Sequence, residues 1–519
     1  MARSYAAIFA AFFLFFGTSQ LFAQDITLTS QDGAVEITGT LLGYDGEFYR
    51  VETPFGELTV DGSGVSCDGP GCPNLSAYVA QVGFSGSADI ANTLLPPLFE
   101  TYALRNGLTI KRENRDPTHL TYVFQDGKLG TKLARFLVRA NTTDEGFADL
   151  LANEADIVLA QREIRDEERR RARAAGMGDL TKANRSRVLA LDALVPVVAA
   201  ANPVRAVSLP ELVDVLSGEI DNWAEFGGPD APITVYLPVL GSGLMQATED
   251  RLLLPAKAEA TPTAKRHAQN SDLTSVVSKD PFGIGIARFS DPGLTRILTL
   301  TGVCDHALAV DRRSIKTEDY PLTSPMFIYT PARRLPAIAR DFLTFVQSPA
   351  AQIVIRRSGL VDQLPEQISI NMQGNRLANA ILAAGEEVTL EDLQRMLTLM
   401  QPMNRLTTSF RFEAGSSTPD AQSQSNVLQL ARALESGPYE AKRLTFVGFS
   451  DGDGPPATNQ KISESREKSV RDAVLAAAET LDPKQVQLDV AGFGETLPMA
   501  CDDSTWGRKV NRRVEVWVR

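Results

Sequence analysis

Gly448-Phe449-Ser450-Asp451 is the stretch that decides the fold of the C-terminal part of the chain. The residues before it, Leu444-Thr445-Phe446-Val447, favour a short buried strand because they are rich in β-branched and aromatic side chains. Asp451 is therefore expected in the loop that follows this strand. Fifteen positions later, Arg466 is predicted to lie in the first turns of a helix, where the macrodipole favours anions.

A carboxylate and a guanidinium that face one pocket suit a small zwitterion. Asp451 would accept an ammonium group and Arg466 would bind a carboxylate. The alternative is that both side chains lie on the surface and simply pair with each other.

The segments around these charges resemble the OmpA-like peptidoglycan-binding domain, with α+β architecture, over residues 406–519. The matching residues are Gly448, Ser450, Asp451, Asn459, Ser463, Arg466, Gly507, Arg508, Asn511, Arg512, Arg513, Val514 and Glu515. The resemblance implies that Asp451 and Arg466 grip the diaminopimelate of the peptidoglycan stem peptide, with Asn459 beside them. Arg513 is assigned to the same site.

Two residues depart from the family pattern near the charged pair. Phe449 stands where the family usually has His, and Glu467 stands where it usually has Ala. The last strand alternates apolar and polar residues, so Arg512 and Arg513 are expected to point to opposite faces, and one of them is structural.

Length and charge limit the classes of function. The chain has 519 residues, which predicts two to four domains. Its 52 basic and 64 acidic residues give a net charge of -12 without a basic stripe, so no nucleic-acid partner is predicted. Residues 1–23 combine Arg3, an apolar run and a small residue at Ala23, which is typical of a secretory signal. A membrane anchor, the alternative, needs a longer apolar core.

The four cysteines of an exported chain indicate an oxidising compartment. Cys67 and Cys72 enclose the turn-forming segment Asp-Gly-Pro-Gly, and a local disulfide is predicted between them. Cys304 and Cys501 are left as either free buried thiols or an interdomain bridge.

The N-terminal and middle regions differ in periodicity. Residues 24–76 alternate in short runs with turn residues between them, which predicts a small all-β module of four or five strands. Residues 77–363 alternate apolar strands with amphipathic helices, as in an α/β domain. The candidate strands are Val79–Gly83, Thr109–Arg112, Asp156–Ala160, Leu194–Ala199, Ile233–Leu237 and Ile284–Ala287.

Several segments of this α/β region resemble the phosphate-type periplasmic substrate-binding proteins of ABC importers. They are Gly86-Ser87, Ala155-Asp156-Ile157, Asn202-Pro203-Val204, Leu216–Trp223, Gly241-Ser242-Gly243 and Pro281–Gly285. The resemblance implies two lobes around a cleft, a small anionic solute of the phosphate or oxyanion class, and a possible ABC permease as partner. The candidate ligand-binding residues are Ser87, Arg162, Gly241, Ser242 and Gly243.

The cleft departs from the family pattern at its charged positions. Pro238 and Leu240 replace an Arg and an Asp before the Gly-Ser-Gly turn, and Gln161 replaces an Asp. Charge-assisted hydrogen bonds contribute about 1.5–3 kcal/mol each, so these replacements matter for phosphate binding. Arg162 either substitutes as the cationic partner or belongs to the solvated arginine run at 165–173.

Residues 364–405 are predicted to be a helical connector. Thr389 and Asp392 form a capping-box pattern before an apolar face. Catalysis, a cofactor and a metal site are not predicted, because the three histidines are isolated from one another in the sequence. A hydrolase is the main rival from another class.

These observations together predict an exported, non-catalytic protein of the periplasm of a Gram-negative-type envelope, near the outer membrane. It would bind a small solute in its two-lobed domain and peptidoglycan through its C-terminal domain. The alternative is a wall-tethered envelope scaffold whose cleft is vestigial or binds a protein.

Overall fold

A computed structural model describes residues 25–519 with the exception of Arg115, Ala183, Val303, Asp305, Glu386 and Pro483. The predicted signal segment, residues 1–23, lies outside the described residues. The chain divides into two compact units, one up to Ala80 and one from Gln81 to Arg519. Within the described ranges, no helix is both long enough and apolar enough to cross a membrane.

The first unit is a five-stranded antiparallel sheet with the strand order β4-β3-β2-β1-β5. Alternate residues of its strands, including Leu28 and Val51, point inward and form a small core. Cys67 and Cys72 form the predicted local disulfide. The strands are β1 (Asp25–Ser30), β2 (Glu36–Tyr44), β3 (Phe48–Thr53), β4 (Gly56–Asp61) and β5 (Val65–Asp68).

The second unit begins with a mixed sheet that runs through two lobes. Its strand order is β14-β13-β15-β11-β18-β10-β6-β9-β8-β7, with β16 beside β11. The remaining two strands, β12 and β17, form a separate parallel pair. The strands are β6 (Ala80–Ser87), β7 (Leu108–Asn114), β8 (His119–Asp126), β9 (Lys132–Asn141), β10 (Ile157–Ala160), β11 (Ser186–Val198), β12 (Ala206–Ser208), β13 (Thr234–Pro238), β14 (Lys265–His267), β15 (Gly283–Arg288), β16 (Arg296–Ile297), β17 (Thr299–Thr301) and β18 (Thr323–Tyr329).

Strands β11 and β18 connect the two lobes. The first part of β11 pairs with β18, and its last part pairs with β15. Both strands are buried almost throughout, as expected for near-continuous apolar runs covered on both faces. The helices that cover the sheet are α1 (Leu95–Arg105), α2 (Thr143–Leu151), α3 (Asp166–Ala174), α4 (Leu209–Ser217), α5 (Gly243–Thr248), α6 (Asn270–Val277), α7 (Arg312–Lys316), α8 (Ala337–Phe345) and α9 (Pro349–Arg357).

The C-terminal domain has a five-stranded sheet with the order β19-β20-β23-β21-β22. The predicted connector is only partly helical, because its strand β19 pairs with β20 and extends this sheet. The predicted capping box of Thr389 and Asp392 is present at the start of α11. The elements are β19 (Gln367–Ser369), α10 (Gly374–Ala383), α11 (Leu390–Met400), β20 (Asn404–Arg411), α12 (Ala421–Glu435), β21 (Arg443–Phe449), α13 (Pro456–Ala477), β22 (Gln487–Gly492), α14 (Thr505–Asn511) and β23 (Arg513–Val518).

Helix α13 begins earlier than the sequence pattern predicts. It starts at Pro456, because proline fixes a helical φ and needs no hydrogen-bond acceptor in the first turn. Arg466 is therefore roughly three turns inside the helix and not near its N-terminus. The helix dipole is therefore not expected to strengthen anion binding at Arg466, since the effect of the dipole falls off within the first turn.

The C-terminal domain is joined to the two-lobed domain by a disulfide and by hydrogen bonds. Cys304 and Cys501 form the interdomain bridge, which settles the alternative that the sequence left open. The Ser425 hydroxyl accepts a hydrogen bond from the Val188 amide of β11 at 3.1 Å. The C-terminal domain thus packs against a strand that connects the lobes.

Buried ion pairs complete this junction. Asp319 of the two-lobed domain accepts hydrogen bonds from Arg405 at 2.6 Å and from Arg411 at 2.9 Å, both on β20. All three side chains are buried. The two arginines hold the pKa of Asp319 well below its usual range against the opposing effect of burial. Since a buried charge without a partner is costly, the three groups are expected to stabilise the junction only together.

Replacement of Asp319 by Ala is expected to destabilise this unit by about 3–5 kcal/mol, because two buried guanidinium groups lose their shared carboxylate. Urea denaturation of the mature chain measures this loss. The control is Asp472→Ala, which removes one exposed partner of Arg471 and should cost less than about 0.5 kcal/mol. Equal shifts for both variants would contradict a stabilising role for the buried network.

Candidate functional site

Asp451 lies in the loop after β21, as predicted, and it faces a basic side chain from another segment. Its Oδ2 accepts a hydrogen bond from Arg512 Nη1 at 2.6 Å. Arg512 also donates through Nε to the Phe412 carbonyl at 3.2 Å. The ion pair of Asp451 is therefore made with Arg512 and not with Arg466, so the simple mutual pairing considered from the sequence is not observed.

Arg466 is almost fully buried and has no carboxylate within ion-pair distance among the described residues. Its Nε donates to the Ser416 carbonyl at 3.1 Å, and its guanidinium lies 5.1 Å from the centre of the Phe412 ring. Its Nη1 is buried without a hydrogen-bond partner. Burial lowers the pKa of Arg466 to about 10, opposed by the nearby Asp451 and assisted by Arg512. A buried cation with a free donor is suited to bind a carboxylate.

Acidic side chains surround the other side of Asp451. Asn459, in the first turn of α13, donates to the Glu495 carboxylate and to the Gly454 carbonyl. Asp502 accepts a hydrogen bond from the Gly452 amide at 2.8 Å. Burial raises the pKa of both Glu495 and Asp502. Both acids lie in the segment between β22 and α14. No pattern in the sequence of that segment predicts that it lies beside Asp451.

Arg513 is fully buried and is used inside the fold. It donates to Glu515 at 2.7 Å and to the Leu497 carbonyl at 2.8 Å, and it stacks 4.3 Å from the centre of the Phe449 ring. Its donors are engaged inside the fold, which argues against the role in the binding site that the sequence resemblance assigned to it. Arg513 is the first residue of β23 and points inward, whereas Arg512, the residue that follows α14, reaches Asp451. Phe449, the departure from the usual His, contacts this structural arginine.

Glu467, the other departure, is a buried acid beneath β21. Its side chain is 2% exposed, and its Oε2 has no hydrogen-bond partner. A Cβ built on Gly448 would lie 3.3 Å from this oxygen, so the strand passes directly over it. Burial raises the pKa of Glu467 to about 8. The acid is therefore neutral in the folded protein at pH 7.

The glycine-rich turns of the two-lobed domain contact other residues of the same domain. A Cβ built on Gly243 would lie 1.6 Å from Gln161 Oε1, so the two lobes touch at the predicted ligand site. Ser242 caps α5 by accepting from the Met245 amide at 3.3 Å, and the Ser87 hydroxyl accepts from the Ile90 amide at 3.4 Å. These hydroxyl groups serve as local caps in this structure.

Arg162 is also engaged within the protein. Its guanidinium binds Glu168 at 2.6 and 2.9 Å, binds Asp144, and lies over the Phe147 ring. Its side chain is 2% exposed, so it belongs to no solvated arginine run. Asp144 accepts a further hydrogen bond at 2.7 Å from Gln246 in the opposite lobe. The cationic group of the predicted cleft is thus neutralised by two carboxylates.

An ion pair also bridges the lobes. Asp89, just before α1, pairs with Arg288 at the end of β15. Together with the contact between Asp144 and Gln246, it holds the lobes together in this structure.

Comparison with known proteins identifies the two classes of domain. Residues 121–350 match the PBP superfamily domain, and residues 411–512 match the OmpA family. The chain therefore combines a two-lobed domain of the substrate-binding-protein class with an OmpA-like domain, and the predicted recognition and fold class are confirmed.

Individual relatives match one part of the chain each. Protein SphX of Synechococcus elongatus is 27% identical over 228 residues, which is 42% of this chain and 66% of SphX. Phosphate-binding protein PstS of Bacillus subtilis is 30% identical over 166 residues, 31% of this chain and 52% of PstS. Outer membrane porin F of Pseudomonas aeruginosa is 30% identical over 114 residues, 22% of this chain and 31% of the porin. The chain thus spans less than two thirds of the length of each of these relatives.

The variant Glu467→Gln is expected to stabilise the protein, by about 1–3 kcal/mol at pH 8. The folded pKa of Glu467 is raised to about 8, whereas the acid ionises near its usual value when unfolded. Its penalty is therefore absent at low pH, begins above the unfolded pKa and is complete above pH 8. Urea denaturation at pH 5 and pH 8 measures the difference. The exposed Glu479→Gln serves as the control, and an equal gain at both pH values would contradict the assignment.

Proposed function

We propose that this chain is an exported, non-catalytic envelope protein that binds peptidoglycan through the pocket around Asp451 and Arg466. The observation that carries this proposal is the buried guanidinium of Arg466, whose Nη1 lacks a partner. The OmpA-family match and the outer-membrane location in the name of the porin F relative support a place at the cell wall, in the periplasm beside the outer membrane.

The chemistry of the pocket suits the diaminopimelate of a stem peptide. Its free carboxylate would receive the unused N–H donor of Arg466, which no described acid neutralises. Its ammonium group would lie among Asp451, Glu495 and Asp502, of which Asp451 pairs with Arg512. Asn459 would act as a positioning residue, because its amide holds the Glu495 carboxylate.

Asp451→Asn and Arg466→Met are each expected to lower retention of the mature protein on purified peptidoglycan about tenfold or more, because each removes one charge of the pair. A pull-down on peptidoglycan sacculi measures retention. Asp453→Asn, in the same loop, and Arg471→Met, on the same helix, are matched controls that should bind within about twofold of the parent. Unchanged retention of both pocket variants would refute the site.

We infer that the two-lobed domain takes a small anionic solute, as its PBP-superfamily match and its phosphate-binding relative PstS suggest. An ABC permease would then be its partner. Ser87, Arg162 and the turn at Gly241-Ser242-Gly243 are the residues proposed to contact the solute. Anion binding would require that Arg162 exchange Asp144 for the solute.

A second candidate function is a wall-tethered scaffold whose cleft is vestigial or binds a protein. The contacts inside the cleft favour it, because Asp144 and Glu168 already neutralise Arg162 and Gln161 fills the space beside Gly243. An incoming anion would also meet the charge of Asp144.

Asp144→Asn is expected to bind phosphate about tenfold more tightly than the parent protein, because one competing carboxylate of Arg162 is removed. Calorimetry of the mature chain with inorganic phosphate measures both affinities, and the exposed Asp272→Asn should behave like the parent. Saturable binding by the parent supports the solute function. The absence of binding by both the parent and Asp144→Asn would refute it and leave the scaffold.

A further inference from the structure

A separate cavity of about 230 Å³ lies between the two-lobed domain and the C-terminal domain. Both domains contribute charged or polar side chains to its wall. The charged residues of the wall are Glu163, Asp250, Arg251, Glu318, Arg411, Glu413, Asp420 and Lys509, and Gln422 and Trp506 add polar N–H donors. None of them contacts the Asp451 pocket or the cleft between the lobes in the interactions described above.

Glu318 has an unusual backbone conformation at the wall of this cavity. Its φ is +57°, in the left-handed region that residues other than glycine rarely adopt. Such strain persists where the surrounding structure imposes it and is frequent at binding sites. Its neighbour Asp319 carries the ion pairs of the domain junction, whereas the side-chain partner found for Glu318 is the neutral amide of Asn426, at 3.2 Å. Burial raises the pKa of Glu318 to about 8, assisted by Asp420.

The donors of the cavity are also incompletely used. Arg251 has no acid within ion-pair distance among the described residues, although Glu163, Glu318 and Asp420 are near enough to act on it electrostatically. Gln422 is 4% exposed, and its Nε2 is buried without a partner. Lys509 pairs with Glu413 at 2.7 Å, which occupies only one of its three N–H donors.

Apart from the pair of Lys509 with Glu413, the described acids and bases that line the cavity do not form ion pairs with each other. Buried charges of opposite sign normally close on each other, because each is costly alone. Here the space between them is large enough for about eight water molecules at roughly 30 Å³ each, or for one small organic molecule. A molecule with both an ammonium and a carboxylate group would satisfy both sets at once.

We propose that this interdomain cavity binds a small zwitterion of the amino-acid class. Its ammonium group binds the Asp420 carboxylate and donates a hydrogen bond to a carboxyl oxygen of Glu318, and its carboxylate binds Arg251 and the Gln422 amide. Glu318 and Arg251 come from the two-lobed domain, and Asp420 and Gln422 come from the C-terminal domain. The ligand therefore bridges the domains and stabilises their junction by mass action.

Calorimetry of the full mature chain tests this site with glycine and with L- and D-alanine as probes. Acetate and methylamine, which carry one of the two groups each, are the matched half-ligands. We expect saturable binding of at least one amino acid, and binding about tenfold weaker or more for the half-ligands. Thermal unfolding with the same probes should show a matching rise in Tm.

Glu318→Gln and Gln422→Leu are each expected to weaken amino-acid binding about tenfold, since each removes one partner of the ligand. The exposed Glu479→Gln should bind like the parent protein. Retention on peptidoglycan should be unchanged in all three variants, which separates this site from the Asp451 pocket. Absence of saturable heat up to about 10 mM probe, meaning a cavity that holds only water, would overturn the proposal. Unchanged affinity in both cavity variants would overturn it as well.

Discussion

Buried charge at the domain junction is the constraint on which the rest of the second unit depends. Asp319 lies between Arg405 and Arg411, and none of the three can be exposed or removed without leaving a desolvated charge behind. Glu515 repeats this arrangement inside the C-terminal domain, where it holds Arg405 and Arg513. These networks specify one arrangement of the domains, because each member is satisfied only in that arrangement.

The same physics separates structural charges from functional ones. Arg513 is buried and fully paired, so it stabilises the fold. Arg466 is equally buried but keeps a free donor and no acid, so part of its desolvation cost is left uncompensated. The paired side chain of Arg513 is explained by the fold alone, whereas the buried N–H without a partner makes Arg466 a candidate for ligand binding. Glu318 and Gln422 stand out in the interdomain cavity by the same criterion.

The cleft between the lobes is the opposite case. Its cation Arg162 pairs with Asp144 and Glu168, although its Nε is buried without a partner, and its turn at Gly243 is packed against Gln161. This domain thus has the topology of the substrate-binding-protein class, but the charged side chains of its cleft pair with each other. In the pocket around Asp451, by contrast, the cation Arg466 has no carboxylate within ion-pair distance among the described residues and keeps a buried N–H without a partner.

The sequence by itself determined the local elements and the class of each domain. The apolar segments predicted five of the six candidate strands of the two-lobed domain to within about four residues, because strand periodicity is a local property. The sixth, Leu194–Ala199, covers only the last part of β11 (Ser186–Val198). The short spacing of Cys67 and Cys72 and the capping box at Thr389 were readable for the same reason. The start of α13 was missed, because the pattern around Arg466 does not show how far the helix extends before it.

Only the tertiary structure decided which charges meet. Arg512 and not Arg513 reaches Asp451, because the pleat of β23 and the course of the preceding helix set their directions. Cys304 and Cys501 pair across 197 positions of sequence, and the cavity beside Glu318 is assembled from segments equally far apart. Local sequence patterns report the periodicity of a segment but not its neighbours in space. The pairing of buried charges, which distinguishes a structural side chain from a binding one, is therefore set by the tertiary fold.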